Sequence, residues 1–427
     1  MIRGGFAIFT NSIPTVYPDQ AAVNLPMASF SELNNPTYSL TPLPVTLPAV
    51  TSTTGVVMPP NGNTRLIPAR TPINLAPIAA ETGSIIGDWP SDKLKNGYTI
   101  TGNVTIEQQI PGDMAMQMSY VTNNSTNLYN SGYPNAYNTP LPENAPFTAV
   151  SPGLGEVQLF YNQGLFHYNA LQVQLRKISP LHGLQFQANY TWSKDMTDSD
   201  AVWSASGTNG AVSLNNPTCI KCEYAPASYN VGQRFVANFS YNIPGHWGFL
   251  PQKLTDGWQA LGIYSAQTGF PFTITESYGT IQYGYDSVNG AGARPSLIKS
   301  PTKHGAGVPQ YLASDVIQNP GAYFSSPTTV ASNGNTVQVA PGTLGRNTIV
   351  GPNWWNGDFS LIKNTQLTEM LRMEFRSEFF NIFNHATFNT PNGVIGNSSF
   401  GLSTQTEGTN GSVGSERQIQ FGMRLIF

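Results

Sequence analysis

Apolar and polar residues alternate strictly along several stretches of this chain, the period of a strand with one greasy face and one wet face. A 3.6-residue helical period is nearly absent. At the end of the chain Ile419, Phe421, Met423, Leu425 and Phe427 alternate with Gln418, Gln420, Gly422 and Arg424. Leu184, Phe186, Ala188, Tyr190 and Trp192 do the same against Gln185, Gln187, Asn189 and Thr191, as do Leu171, Val173 and Leu175 against Gln172, Gln174 and Arg176. Leu371, Met373, Phe375 and Phe379 oppose Arg372, Glu374, Arg376 and Glu378. The pattern predicts an all-β fold of about ten strands, at 2–9, 97–110, 114–122, 166–178, 183–194, 230–242, 257–275, 353–364, 370–381 and 417–427.

A soluble sandwich also alternates, and loop lengths separate the two cases. Connections run long (10–96), short (111–113), long (123–165), short (179–182), long (195–229), moderate (243–256), long (276–352), short (365–369) and long (382–416). Sorting long loops to one end and tight turns to the other is the habit of an outer-membrane barrel, whose strands cross the bilayer in about 9–11 residues. With the C-terminus periplasmic, every long loop is extracellular. Trp192, Trp354 and Trp355 then fall at outer strand ends, and Trp247, Phe249 and Trp258 at inner ends, where interfacial girdles belong. The expected fold is an antiparallel outer-membrane β-barrel in which Leu184, Phe186, Ala188 and Tyr190 face lipid while Gln185, Gln187 and Asn189 face the lumen.

Composition narrows the class further. Only 10% of the 427 residues are charged, against about 25% in soluble globular proteins. A net charge of -3 offers no basic field for nucleic acid. No run approaches the roughly 18 apolar residues of a transmembrane helix. The opening Met1-Ile2-Arg3-Gly4-Gly5-Phe6 lacks the basic-then-apolar order of a signal peptide, so none is expected within 1–427.

Three blocks carry more specific information: Arg346-Asn347-Thr348-Ile349-Val350-Gly351-Pro352-Asn353, then Asp358-Phe359-Ser360-Leu361-Ile362-Lys363-Asn364, then Arg376-Ser377-Glu378-Phe379-Phe380-Asn381-Ile382-Phe383-Asn384-His385. With 168–175, 189–194, 241–245, 257–260 and 267–272, they resemble in order and spacing the C-terminal barrel of TonB-dependent receptors of the Oar-like kind. The resemblance implies a barrel of the 22-strand type, to which 1–427 contributes about ten strands as a partial barrel, the C-terminal half, with no plug domain. It implies a role in solute binding or uptake, a missing plug and N-terminal barrel segment as partners, and Phe427 as the C-terminal insertion signal read by the barrel-assembly machinery. One block departs from the family, since Val231, Gly232 and Gln233 precede Arg234-Phe235 where an Asp and a His usually stand.

Cys219 and Cys222 have the spacing of redox and zinc sites, but zinc needs four ligands and no second pair follows. They are expected to form a disulfide within an extracellular loop. Asp195, Asp198 and Asp200 are oxygen ligands in principle, without EF-hand spacing, and read as solvated loop carboxylates. Tyr129, Tyr133 and Tyr137 recur in a Gly/Asn/Pro-rich loop, either as exposed rings that stack on a sugar or peptide ligand or as loop packing. The alternating charges Arg372, Glu374, Arg376 and Glu378 are expected to line the lumen as a pairing lattice rather than a selectivity ring.

His167, His182, His246, His304 and His385 are scattered with no common Ser or Cys nearby, and no Gly-rich phosphate loop is present. Neither an enzyme nor a cofactor site is therefore predicted. The functional expectation is an outer-membrane receptor or transporter barrel, in contact with lipid and with a solute, oligosaccharide or peptide ligand. The alternatives are a secreted or surface carbohydrate-binding β protein and a closed ten-stranded pore. If the barrel is partial, strands 2–9 and 417–427 must leave unpaired edges.

Overall fold

The computed structural model describes residues 1–11, 85–90, 94–132, 154–177, 183–199, 215, 219–245, 248, 251–276, 294–303, 309–326, 328–330, 334, 336–338, 340, 342–406 and 416–427. Its main sheet has ten long strands: β1 (Ile2–Asn11), β2 (Gly97–Ile110), β3 (Met114–Gly132), β4 (Leu154–Lys177), β5 (Leu184–Thr197), β6 (Gln233–Ile243), β7 (Trp258–Gln267), β8 (Trp354–Gln366), β9 (Arg372–Phe380) and β10 (Gln418–Ile426). Order in space follows order in sequence and every consecutive pair is antiparallel, so the sheet is a continuous up-and-down meander. Two short strands are added at its outer end, Ile85–Pro90 along β4 and Ala225–Pro226 along β5.

Register divides the side chains into two faces. Phe186, Ala188, Tyr190 and Trp192 of β5 lie opposite Lys177, Leu175, Val173 and Leu171 of β4, and Phe186, Ala188 and Tyr190 also lie opposite Phe239, Ala237 and Phe235 of β6. The same face continues through Phe359, Phe379 and Ile419 at the far end of the sheet. Phe421 and Met423, 66% and 69% exposed, belong to this apolar face, which is built for hydrocarbon rather than water. The opposite face carries Gln187, Asn189, Gln174, Asn238, Glu374 and Arg376, and is the luminal one. Trp354 belongs to this luminal face, because it pairs with Gln267, whereas Trp355 pairs with Ala266 on the apolar side. Only one of the two tryptophans is thus placed for the girdle expected from sequence.

Short turns close one end and long connections the other. At the inner end Gly257 adopts φ +78 while its Cα approaches the Asn364 carbonyl so closely that a Cβ would sit 2.2 Å from that oxygen. Only glycine meets both conditions without strain. Beside it Lys363 reaches the Asp256 carbonyl and lies 5.4 Å from the Trp258 ring centroid, a cation held at the interface by an aromatic neighbour.

The strands differ from expectation in length. β3 and β4 span 19 and 24 residues, well beyond the roughly 9–11 that cross a bilayer. β7 stops at Gln267 instead of continuing to 275, and Pro271, which has no N–H to give the ladder, lies just beyond its end. Pro271–Phe272 pairs instead with Ile349–Val350, and Thr275–Glu276 with Val394–Ile395. These short pairings enclose a second core made wholly by the long connections, from Phe272, Ile274, Tyr311, Leu312, Val316, Tyr323, Phe324, Leu344, Ile349 and Phe400. Among the described residues, β1 pairs in the main sheet only with β2, and β10 only with β9. The sheet therefore does not close on itself as the ten-stranded pore alternative requires.

Candidate functional site

The luminal face is wired by short polar contacts between neighbouring strands. Thr105 and Ser119 hydroxyls meet at 2.9 Å, Gln174 Nε2 donates to Asn189 Oδ1 (2.9 Å), and Gln259 Nε2 donates to Ser240 Oγ (3.0 Å). Near its first edge Arg176 donates to Glu107 (2.9 Å), while Arg3 lies 3.8 Å from the same carboxylate and donates to Gln117. Toward the other edge Arg372, Glu374, Arg376 and Glu378 alternate along β9. Arg376 Nε donates to Glu374 Oε1 (2.8 Å), its Nη1 lies 3.9 Å from Glu378, and Arg424 of β10 is the register partner of Glu374. Both clusters hold charges of each sign close together, with arginines outnumbering glutamates in each.

At the outer end the Cys219–Cys222 disulfide, with Cα atoms 5.4 Å apart, closes a single turn that presents Glu223. Glu223 is fully buried and receives two hydrogen bonds from the Arg294 guanidinium, at 2.6 and 2.7 Å. Asn215 completes the junction: its N–H donates to Glu223, its side chain donates to the Gly342 carbonyl, and its Oδ1 accepts from the Arg294 N–H. Arg346 donates to the carbonyls of Thr197 and Glu223, and Asn347, at φ 54, donates to the Pro226 carbonyl. The resemblance-bearing residues Arg346 and Asn347 thus tie the loop core to the outer end of β5. Nothing in sequence spacing signals the Glu223–Arg294 pair, whose members lie 71 residues apart.

Asp198 accepts from the Leu165 N–H (2.6 Å), and its carboxyl is pushed up by burial although that bond and nearby Arg346 pull the other way. Asp195 is also buried, which corrects the solvated-loop expectation for both residues: β5 extends through Asp195, whose N–H donates to Asn230 Oδ1 and whose carbonyl accepts from the Ala227 N–H. Asp200 lies outside the described residues, and no group of three or more His, Cys, Asp or Glu able to hold a metal occurs among the described residues. Tyr129 lies within the extended β3 and is buried at 7% exposure, so of the two alternatives it takes the packing one. Tyr133 and Tyr137 lie outside the described residues, as do Trp247, Phe249, His182, His246 and His304.

His385 stacks on Trp355 with ring centroids 3.9 Å apart, and burial lowers its pKa. The turn before it is shaped by Asn381, at φ 48, whose side chain bonds both the N–H and the carbonyl of His385 at 3.0 Å. Phe427 follows β10 and is 93% exposed.

One cavity of about 340 Å³ lies where β7 ends and β8 begins. Phe270, Trp354 and Phe388 supply aromatic walls, and Gln267, Asn389 and Gln405 supply amides. Its floor is a close backbone approach, since a Cβ on Gly269 would lie 2.2 Å from the Pro352 carbonyl oxygen. The lining comes from segments scattered over more than a hundred residues, a grouping that only the fold creates.

A family model described as an outer membrane beta barrel domain matches residues 1–420. No curated protein is similar in sequence to the chain. Among solved structures, the outer membrane transporter YddB from Escherichia coli superposes with TM-score 0.40 at 10% identity, over 80% of this chain and 34% of that one. FpvA of P. aeruginosa, bound to heterologous pyoverdines, gives TM-score 0.36 at 12% identity over 78% and 27%. The ferric citrate transporter FecA in its unliganded form gives 0.33 at 9% over 82% and 32%. The chain spans about a third or less of the length of each of these structures.

Proposed function

Because the chain belongs to the outer membrane beta barrel domain family, and is an outer-membrane protein, we propose that it forms part of the wall and the outer mouth of a TonB-dependent receptor of the Oar-like kind. In this reading 1–427 is the C-terminal portion of a larger barrel of the 22-strand type, which binds a solute at its mouth and passes it along the lumen. A plug and further barrel strands complete it, and Phe427 is its insertion signal. The observation that carries the reading is the sorting of the meander: an apolar face, a polar face laced with Arg–Glu ion pairs, short turns at one end, and packed long connections at the other. A passive pore needs a closed ring, whereas the two edges of this sheet are each paired on one side.

The test places a cysteine at Gln187, on the luminal face, in cells making the protein from its own gene. A membrane-impermeant maleimide is then applied from outside, with and without a protonophore. An energised receptor exposes the lumen only when the membrane is energised, so labelling of Gln187→Cys falls when the gradient collapses. Labelling independent of energisation identifies a passive pore and refutes the proposal, and recovery of the protein outside the membrane refutes it as well.

A further inference from the structure

We infer that the cavity between the outer ends of β7 and β8 is a binding site for a neutral saccharide, of mono- or disaccharide size. The inference rests on the receptor reading and names its ligand class. Gln267 and Trp354 are register partners on the luminal face, so the cavity stands at the outer end of the lumen, where a solute would be received. Its volume of about 340 Å³ falls at the small end of the roughly 300–1,000 Å³ typical of small-molecule sites.

Chemistry selects among small ligands. None of the lining residues is charged, so an ionic ligand would lose its hydration without a counter-charge. The amides of Gln267, Asn389 and Gln405 and the hydroxyls of Thr387 and Thr390 also line the space. Among the described residues, none of these five side chains takes part in a hydrogen bond within the protein. A purely apolar ligand would strip water from Gln267, Thr387 and Asn389, the less exposed of the five, and return no hydrogen bond. A peptide captured by strand addition needs a free strand edge; β7 is paired along both edges, and the outer end of β8 is paired with β7 on one side and bonded on the other by Ile382, whose N–H donates to the Gly357 carbonyl.

A pyranose meets all three constraints at once. Its C–H face stacks on an aromatic wall, as Trp354, Phe270 and Phe388 offer. Its rim of hydroxyls both donates and accepts, as a carboxamide does with its carbonyl oxygen and two N–H donors. The backbone approach at Gly269 brings the chain just past β7 against Gly351 and Pro352 beside these walls.

The experiment titrates the detergent-solubilised protein calorimetrically with maltose, cellobiose and N,N′-diacetylchitobiose, with a hyaluronan disaccharide as the charged comparison and triglycine as the peptide comparison. Saturable binding of at least one neutral disaccharide, unchanged between low and high salt, is expected. Trp354→Ala and Gln405→Leu should each weaken it by about tenfold or more, the loss of one good contact, while Trp354→Phe retains most of it. Gln405 is exposed, so its variant also controls for folding. The inference is overturned if no neutral disaccharide binds, if the charged or peptide probe binds as well, or if both variants keep the original affinity. Failure here, with energised labelling of Gln187→Cys intact, removes the saccharide assignment alone; the converse result removes the receptor reading alone.

Discussion

Replacing Val173 with arginine should destabilise the protein far more than the same replacement at Phe186, although both residues belong to the apolar face. Register sets their depths. Phe186 lies opposite Lys177, near the inner turn, while Val173 lies opposite Tyr190 and four residues further along β4. With a rise of about 3.4 Å per residue and a tilt of about 40°, Val173 stands roughly 10 Å above the level of Lys177, close to the middle of an apolar band about 25 Å tall. An arginine costs about 2–4 kcal/mol at the midplane and about 0–1 kcal/mol near the interface. Guanidinium unfolding of the protein in phospholipid vesicles, followed by tryptophan fluorescence, measures both. The alanine variant at each site is subtracted to remove lost packing. Gln174→Arg, one residue from Val173 and on the luminal face, should stay within about 0.5 kcal/mol of the parent. Equal costs at Val173 and Phe186 would refute the depth assignment, and a large cost at Gln174 would refute the assignment of faces.

Arg294→Met strands a fully buried Glu223 carboxylate and should cost about 3–5 kcal/mol of loop stability, seen as faster hydrogen exchange at 219–226 and 342–350; adding Glu223→Gln should recover part of it. Burial raises the pKa of Glu276 against a smaller opposing pull from Ser326, so its contribution to loop stability is fully present below the ordinary carboxylate pKa and is lost as pH rises through the raised value. Protection at 275–276 and 394–395 should accordingly fall from acid toward neutral pH in the parent and stay flat in Glu276→Gln. Gly257→Ala should cost about 1 kcal/mol or more, from its left-handed φ alone, read as a lower unfolding midpoint; a neutral result would mean that the approach of Gly257 to the Asn364 carbonyl relaxes freely.

The bilayer explains which parts of this fold are legible in the sequence. Where a strand separates hydrocarbon from a polar lumen, each residue's polarity is dictated by its parity, and segments such as 184–192 and 418–426 announce themselves. Once β3 and β4 rise beyond the membrane, both faces meet protein or water, the constraint lapses, and the extensions at 123–132 and 154–165 read as loop. The outer core was hidden for a related reason. Phe272, Ile274, Tyr311 and Leu344 sit on pieces only a few residues long, too short to display any period. The cavity and the Glu223–Arg294 pair are assembled from distant segments, so no local pattern encodes them.

The direction of the two outermost strands carries an arithmetical consequence. β1 runs from the inner end outward, since Ile2 lies opposite Ile106 near the inner turn, and β10 runs inward, ending opposite Arg372 just beyond the 367–371 turn. An antiparallel neighbour of β10 must run outward, and an antiparallel neighbour of β1 must run inward. Whatever closes the ring must therefore begin with an outward strand and end with an inward one, which an alternating meander achieves only with an even number of strands. A single added strand would meet one of the two edges in parallel. A hairpin, a set of twelve strands from the same receptor, or a second copy contributing ten each satisfies the parity rule, and each leaves the short turns together on one side of the membrane.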